Sequence, residues 1–226
     1  MTELYQPKSL FIRIQLSVKV FVIIILYSLL MFTNTGCYLL TQFHSARMLG
    51  NGEHRIIPDI TLAHDMGSHQ DGFYLSTGIQ YWIGINSRFN LGGRASFYTS
   101  LTDSDPRGPH LGLTSKIGLT EDVLAVSISS YYYYTSEYHG GQFDVRLIWS
   151  KYFDNKKDLT ITPLASLSVS GYVAFGMGIN VSFGIPLGNG SIIIRPEIGI
   201  LPLFTDDFIP VISFGMGLDI PSFIRN

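Results

Sequence analysis

Apolar and polar residues alternate along most of this chain. Between positions 172 and 185, Val173, Phe175, Met177, Ile179, Val181, Phe183 and Ile185 share one parity, and Tyr172, Ala174, Gly176, Gly178, Asn180, Ser182 and Gly184 the other. Period two marks a strand whose two faces meet different surroundings. The same split recurs over 73–84, 89–98, 111–119, 142–153 and 212–220, with Phe, Leu, Ile and Trp opposing Gly, Ser, Thr, Asn and a few charges. Ten strands are expected, at 53–65, 73–84, 89–98, 110–119, 123–134, 142–153, 158–168, 172–185, 191–200 and 208–220. Most run 10–13 residues. Strands of globular proteins run roughly 5–6 residues, whereas a tilted transmembrane strand needs roughly 9–11.

The connections carry a second regularity. Those at 66–72, 99–109, 135–141 and 201–207 are long, and those at 85–88, 120–122, 154–157 and 186–190 are shorter; 169–171 breaks the pattern. Short turns on one side and longer loops on the other is the plan of a transmembrane barrel. In hydrocarbon every backbone N–H and C=O must pair internally, so a spanning sheet has to close. The expected fold is all-β: a closed antiparallel up-and-down transmembrane β-barrel of about ten strands. Its apolar face would meet lipid, and its small polar face would fill a narrow interior.

Composition agrees. The chain is 14% charged and 13% aromatic, where a soluble domain carries roughly 25% charge. Disordered chains have the opposite bias. A net charge of −2 gives no footprint for nucleic acid. With one cysteine, an internal disulfide framework and a Cys-based zinc site are excluded.

The N-terminus reads as an export signal. Lys8, Arg13 and Lys19 precede a 13-residue apolar run, Val20–Phe32, of the length typical of signal peptides and short of a spanning helix. Thr33-Asn34-Thr35-Gly36-Cys37 follows and resembles the lipobox of bacterial lipoproteins, with Asn34 where an aliphatic residue is usual. The resemblance implies that Cys37 is acylated and becomes the mature N-terminus, giving the stable anchoring that two or more chains provide. The expected organisation is a signal peptide with its signal helix over 1–36, a tether over 37–52 and a barrel domain over 53–226.

Ser213-Phe214-Gly215-Met216-Gly217-Leu218-Asp219-Ile220 resembles the C-terminal strand read by the barrel-assembly machinery. The head Gly36-Cys37-Tyr38 with Ser45-Ala46-Arg47-Met48-Leu49, and the hairpin from Tyr81 to Gly92, resemble uncharacterised bacterial outer-membrane β-barrel lipoproteins, with Asn90 in place of their usual Asp. That resemblance touches about thirty residues and implies a place in the bacterial outer membrane; it implies no activity.

Arg94, Lys116, Asp144, Arg146, Arg195 and Glu197 lie on the small-residue face and are expected to form a lumen ion-pair network, with Asp144 or Glu197 joined to Arg94, Arg146 or Arg195. Tyr131–Tyr134, Tyr138, Tyr152, Phe153 and Trp149 lie near strand ends, as an interfacial girdle or a packed loop base. His64, His69, His110 and His139, with Asp65, Asp71, Asp103 and Asp105, fall in or near the longer connections. They lack the close spacing of a metal motif, and no metal or cofactor is expected. Neither Asp206-Asp207 with His64-Asp65 nor any Ser–His pair forms a legible catalytic set, so the chain is not expected to be an enzyme. The sequence therefore points to a lipid-anchored outer-membrane barrel with a structural, surface-interaction or narrow-transport role. Membrane lipid and the assembly machinery are its partners in that reading. Two alternatives stay open: a soluble lipocalin-like lipoprotein with its apolar face inward, and a surface protease or lipid-modifying enzyme.

Overall fold

The computed structural model describes residues 41–66, 71–102, 108–134, 139–153, 157–169, 173–188, 191–204 and 208–222. The expected signal segment and Cys37 lie outside the described residues. Ten strands follow one another: β1 (His54–Met66), β2 (Asp71–Asn86), β3 (Phe89–Ser100), β4 (Gly108–Thr120), β5 (Leu124–Tyr134), β6 (His139–Tyr152), β7 (Asp158–Val169), β8 (Val173–Leu187), β9 (Ile192–Phe204) and β10 (Phe208–Ser222). Each pairs antiparallel with its neighbours in sequence, and β1 pairs with β10 to close the barrel. Along that seam His54 faces Ser222, Thr61 faces Gly215 and Asp65 faces Val211. The start of β1 and the end of β10 therefore lie at one rim, the terminal end; the other is the far end.

The strands are longer than the sequence pattern predicted, and this corrects the expected loop asymmetry. The far-end connections are 67–70, 101–107, 135–138, 170–172 and 205–207; those at the terminal end are 87–88, 121–123, 153–157 and 188–191. Alternation continues into the segments taken as long loops. In β9, Leu201 and Leu203 point inward while Ile200 and Phe204 are exposed. Continued pairing satisfies backbone groups that a loop would leave to solvent.

The two faces divide as the period requires. Leu113, Val173 and Met177 on the outside are 60–63% exposed, while Asp144, Arg146 and Arg195 on the inside are at most 1% exposed. This is the inverse of a barrel that encloses an apolar ligand, so the lipocalin-like alternative is not the observed architecture. The four-tyrosine run keeps the alternation as well. Tyr131 and Tyr133 point into the barrel at 3% and 1% exposure, while Tyr134 is 54% exposed. Trp149 and Phe153 are exposed on the outside near the terminal end, while Tyr152 has the inward parity of β6.

Candidate functional site: the lumen and the segment inside it

The barrel interior is occupied by the chain's own residues 41–49. Sequence alone marked 37–52 only as a tether. From Thr41 onward this segment threads the lumen, and Thr41, Gln42, Phe43, His44, Ala46 and Leu49 are all buried. At mid-barrel the Thr41 hydroxyl lies 2.5 Å from that of Thr61. The segment then descends past Ser150, where Ala46 N–H donates to Oγ at 2.8 Å, and leaves at the terminal end. There the Gly52 N–H donates to the Gly84 carbonyl at 2.8 Å and the Gly84 N–H to the Glu53 carbonyl at 2.9 Å. Gly84 is required by this approach, since a Cβ there would lie 2.0 Å from the Gly50 carbonyl oxygen.

Inward glycines make the space. A Cβ at Gly215 or Gly217 would fall 2.6–2.7 Å from the Phe43 ring, so the two glycines of β10 form the seat for that side chain. Phe43 joins Leu49, Ile57 and Trp82 in one buried cluster, and Ala46 joins Ala125 and Ile148 in another. Phe43 itself has φ of 55°, a left-handed conformation that costs an L-residue roughly 1–2 kcal/mol. In return, successive N–H groups converge on an anion, as in a backbone nest. Gln42 N–H donates to Glu197 Oε1 at 3.1 Å and Phe43 N–H to Oε2 at 2.9 Å.

The six lumen charges predicted from sequence all lie inside; the expected pair Asp144–Arg146 forms, while Arg94 and Arg195 take other carboxylates. Arg146 pairs with Asp144 at 2.7 Å, and Asp144 also accepts from Gln142 and Ser166. Arg94 binds Asp59 and donates to the Thr41 carbonyl at 2.6 Å. Arg195 reaches Asp158 at 2.5 Å through one nitrogen and 2.8 Å through the other. Glu197 takes Asn180 as well as the two plug N–H groups. Lys116 donates to the carbonyls of Ser45 and Arg47 at 3.3 and 2.7 Å and sits 5.7 Å from the Trp82 ring. Sequence reading missed Asp59, Asp158 and Arg55, the last pairing with Asp219 at 2.7 Å. Their parity was the available signal: Asp59 shares it with Ile57 and Thr61, both inward. Outside the strands, burial pushes the Glu53 carboxyl up, but the Gly50 N–H and the Arg55 guanidinium outweigh this and hold it below its ordinary range.

The far half of the lumen is filled differently. Leu164, Leu201, Leu203 and Val211 make a buried apolar cluster. Tyr74, Tyr98 and His110 stack in succession and Tyr133 packs on His110 at a 47° tilt, across β2 to β5, with centroids 5.1–5.5 Å apart. His110, expected beside an outer loop, is buried within this stack at 1% exposure. His64 instead stacks on outward Phe73 at 4.1 Å. His69, Asp103 and Asp105 lie outside the described residues, as do Asp206 and Asp207. Among the described residues no three His, Cys, Asp or Glu side chains come together as a metal cluster. Between plug and wall, His44, Arg55, Trp82, Lys116 and Asp219 line a cavity of about 20 Å³, room for one water.

No family model matches the chain, and no curated protein matches it. Among solved structures it is similar in fold to the KdgM porin, at 15% identity and a TM-score of 0.46 over 73% of this chain and 99% of that one. It is also similar to the translocator domain of the autotransporter NalP from Neisseria meningitidis, at 10% identity and 0.47 over 76% of this chain and 89% of that one. Ail, the attachment invasion locus protein of Yersinia pestis, gives 10% and 0.31 over 76% and 99%. These likenesses are of fold alone.

Two substitutions probe the filled lumen. Asp144→Ala removes the carboxylate paired with the buried Arg146 guanidinium, and removing one partner of a buried pair costs about 3–5 kcal/mol. The expected result is a lower urea midpoint for unfolding in detergent micelles. Gly217→Val overlaps the Phe43 ring, an overpacking that costs about 1–3 kcal/mol. The wild-type plug is expected to resist trypsin at Arg47, because cleavage requires local unfolding, and the valine variant to be cut there faster.

Proposed function

We propose that this chain is a non-conducting outer-membrane β-barrel with a structural or surface-interaction role, its lumen sealed by its own residues 41–49. The observation that carries the reading is the opposition of the two faces: a continuous apolar exterior around an interior of paired charges and plug. An exterior of this kind has no place in water, since contiguous exposed apolar patches beyond a few hundred Å² mark an interaction surface, and ten strands of 11–16 residues are long enough to cross a bilayer.

The narrow-transport role fits less well than the sealed one. Two separate levels of the lumen are filled, by the plug and by the Leu–Tyr–His layer, and a conduit would require both to move. Wide aqueous channels belong to barrels of roughly 16–18 strands. Lipid anchoring through acylated Cys37, and insertion by the assembly machinery through β10, complete the proposal.

Membrane fractions extracted with carbonate or urea are expected to retain the chain, and unheated samples to migrate faster than boiled ones on gels; release without detergent overturns the reading. Leu113→Arg, near the middle of the outer face of β4, is expected to lower stability in lipid vesicles by about 2–4 kcal/mol. Purified protein in planar bilayers is expected to give no conductance steps.

A further inference from the structure

We infer that the terminal-end half of the lumen is a peptide-binding groove that recognises a main chain, and that the plug is its resident occupant. This goes beyond a sealed barrel, because it assigns the groove a ligand class that a separate polypeptide can satisfy.

The polar contacts between wall and plug carry the inference. Glu197 accepts from two plug N–H groups, and Lys116 donates to two plug carbonyls. Arg94 donates to the Thr41 carbonyl, Ser150 accepts from the Ala46 N–H, and Asp122 accepts from the Met48 N–H at 3.4 Å. On the plug side all seven of these atoms belong to the main chain. Side chains add three polar contacts, from the Thr41 hydroxyl to Thr61 and from the Gln42 amide to Ser129 and Tyr131, but most of the polar recognition falls on atoms every peptide shares.

The charges of the wall sharpen that observation. Among the described residues Arg55, Arg94, Arg146 and Arg195 each have a carboxylate partner. Lys116 and Glu197, both at 5% exposure, form no such ion pair. The cation faces the carbonyls of 45 and 47, and the anion faces the N–H groups of 42 and 43. They are a matched pair of buried groups whose complement is a backbone running in one direction. Phe43 on its glycine seat, Ala46 and Leu49 add pockets for small and apolar side chains, whereas Arg47 stays exposed. The ligand is therefore a short segment with an amide side chain at its second position, where Gln42 donates to Ser129 and Tyr131, an aromatic residue at its third and free choice at its seventh. The groove opens at the terminal end, where the plug leaves it.

The test uses the full chain with residues 41–49 replaced by a Gly/Ser linker of equal length, in detergent micelles. The probe is a synthetic peptide of residues 41–49 carrying fluorescein at its C-terminus, followed by anisotropy. Saturable binding is expected. N-methylation at the Gln42 and Phe43 nitrogens removes two charge-assisted hydrogen bonds and is expected to weaken binding by about tenfold or more. Lys116→Met in the wall is expected to do the same, while Arg47→Ala in the peptide changes affinity by less than about threefold. Where the linker chain fails to give the fast-migrating folded band, the same peptide added during refolding is expected to restore it. A folded linker chain that does not bind, an N-methylated peptide that binds as well as its parent, or an unfolded linker chain that the peptide does not rescue each overturns the inference. Gel mobility of the wild-type chain tests the barrel itself and is independent of these outcomes.

Discussion

A ten-stranded cylinder has an interior of fixed size, and that volume has to be filled. The constraint arises from closure: once β1 pairs with β10, the wall cannot contract around a gap. Its inward residues are largely Gly, Ser, Thr and Asn, too small to meet at the axis. Close packing is the rule for protein interiors, and here it is reached with ion pairs, an apolar layer and a piece of chain. The glycines at 215 and 217 show the exchange in detail. A larger side chain there would fill the same space that Phe43 now fills.

The polar side of this arrangement follows from the same closure. Charges held between two facing walls are removed from bulk water, and each needs a partner in fixed geometry. Arg146 and Arg195 meet carboxylates on the wall, but Lys116 and Glu197 meet the plug. The plug is consequently both filler and counterpart. Removing it would leave a cation and an anion facing an empty space rather than a neutral hole.

The barrel was legible because its signal is local: parity along a strand gives the face, and run length gives the span. Strand existence followed from this, while strand ends did not, because Gly, Pro and Asn near the rims serve both turns and continuing strands. Pro109 and Pro202, read as loop residues, lie within β4 and β9. Parity also placed the six lumen charges inward, but it is silent on partners. Asp59 and Arg94 come together through the stacking of β1, β2 and β3, a matter of register. The plug was invisible for a different reason. Its polar contacts are mostly through main-chain atoms, which leave no trace in side-chain pattern, and its spacing of Phe43, Ala46 and Leu49 matches no strand.

A segment lying inside a closed ring is topologically captive. It cannot be laid in from the side after the seam between first and last strands has zipped. Either the wall wraps around it or it slides in lengthwise. Because residues 41–52 are continuous with β1, the strand that nucleates one edge of the seam arrives with its own filling attached. Where the wall wraps around the segment, the pairing of β10 with β1 locks in place what the first strand brought with it. Escape afterwards is governed by a kinetic barrier, axial withdrawal or rupture of the whole β1–β10 ladder, and not by the strength of any one contact.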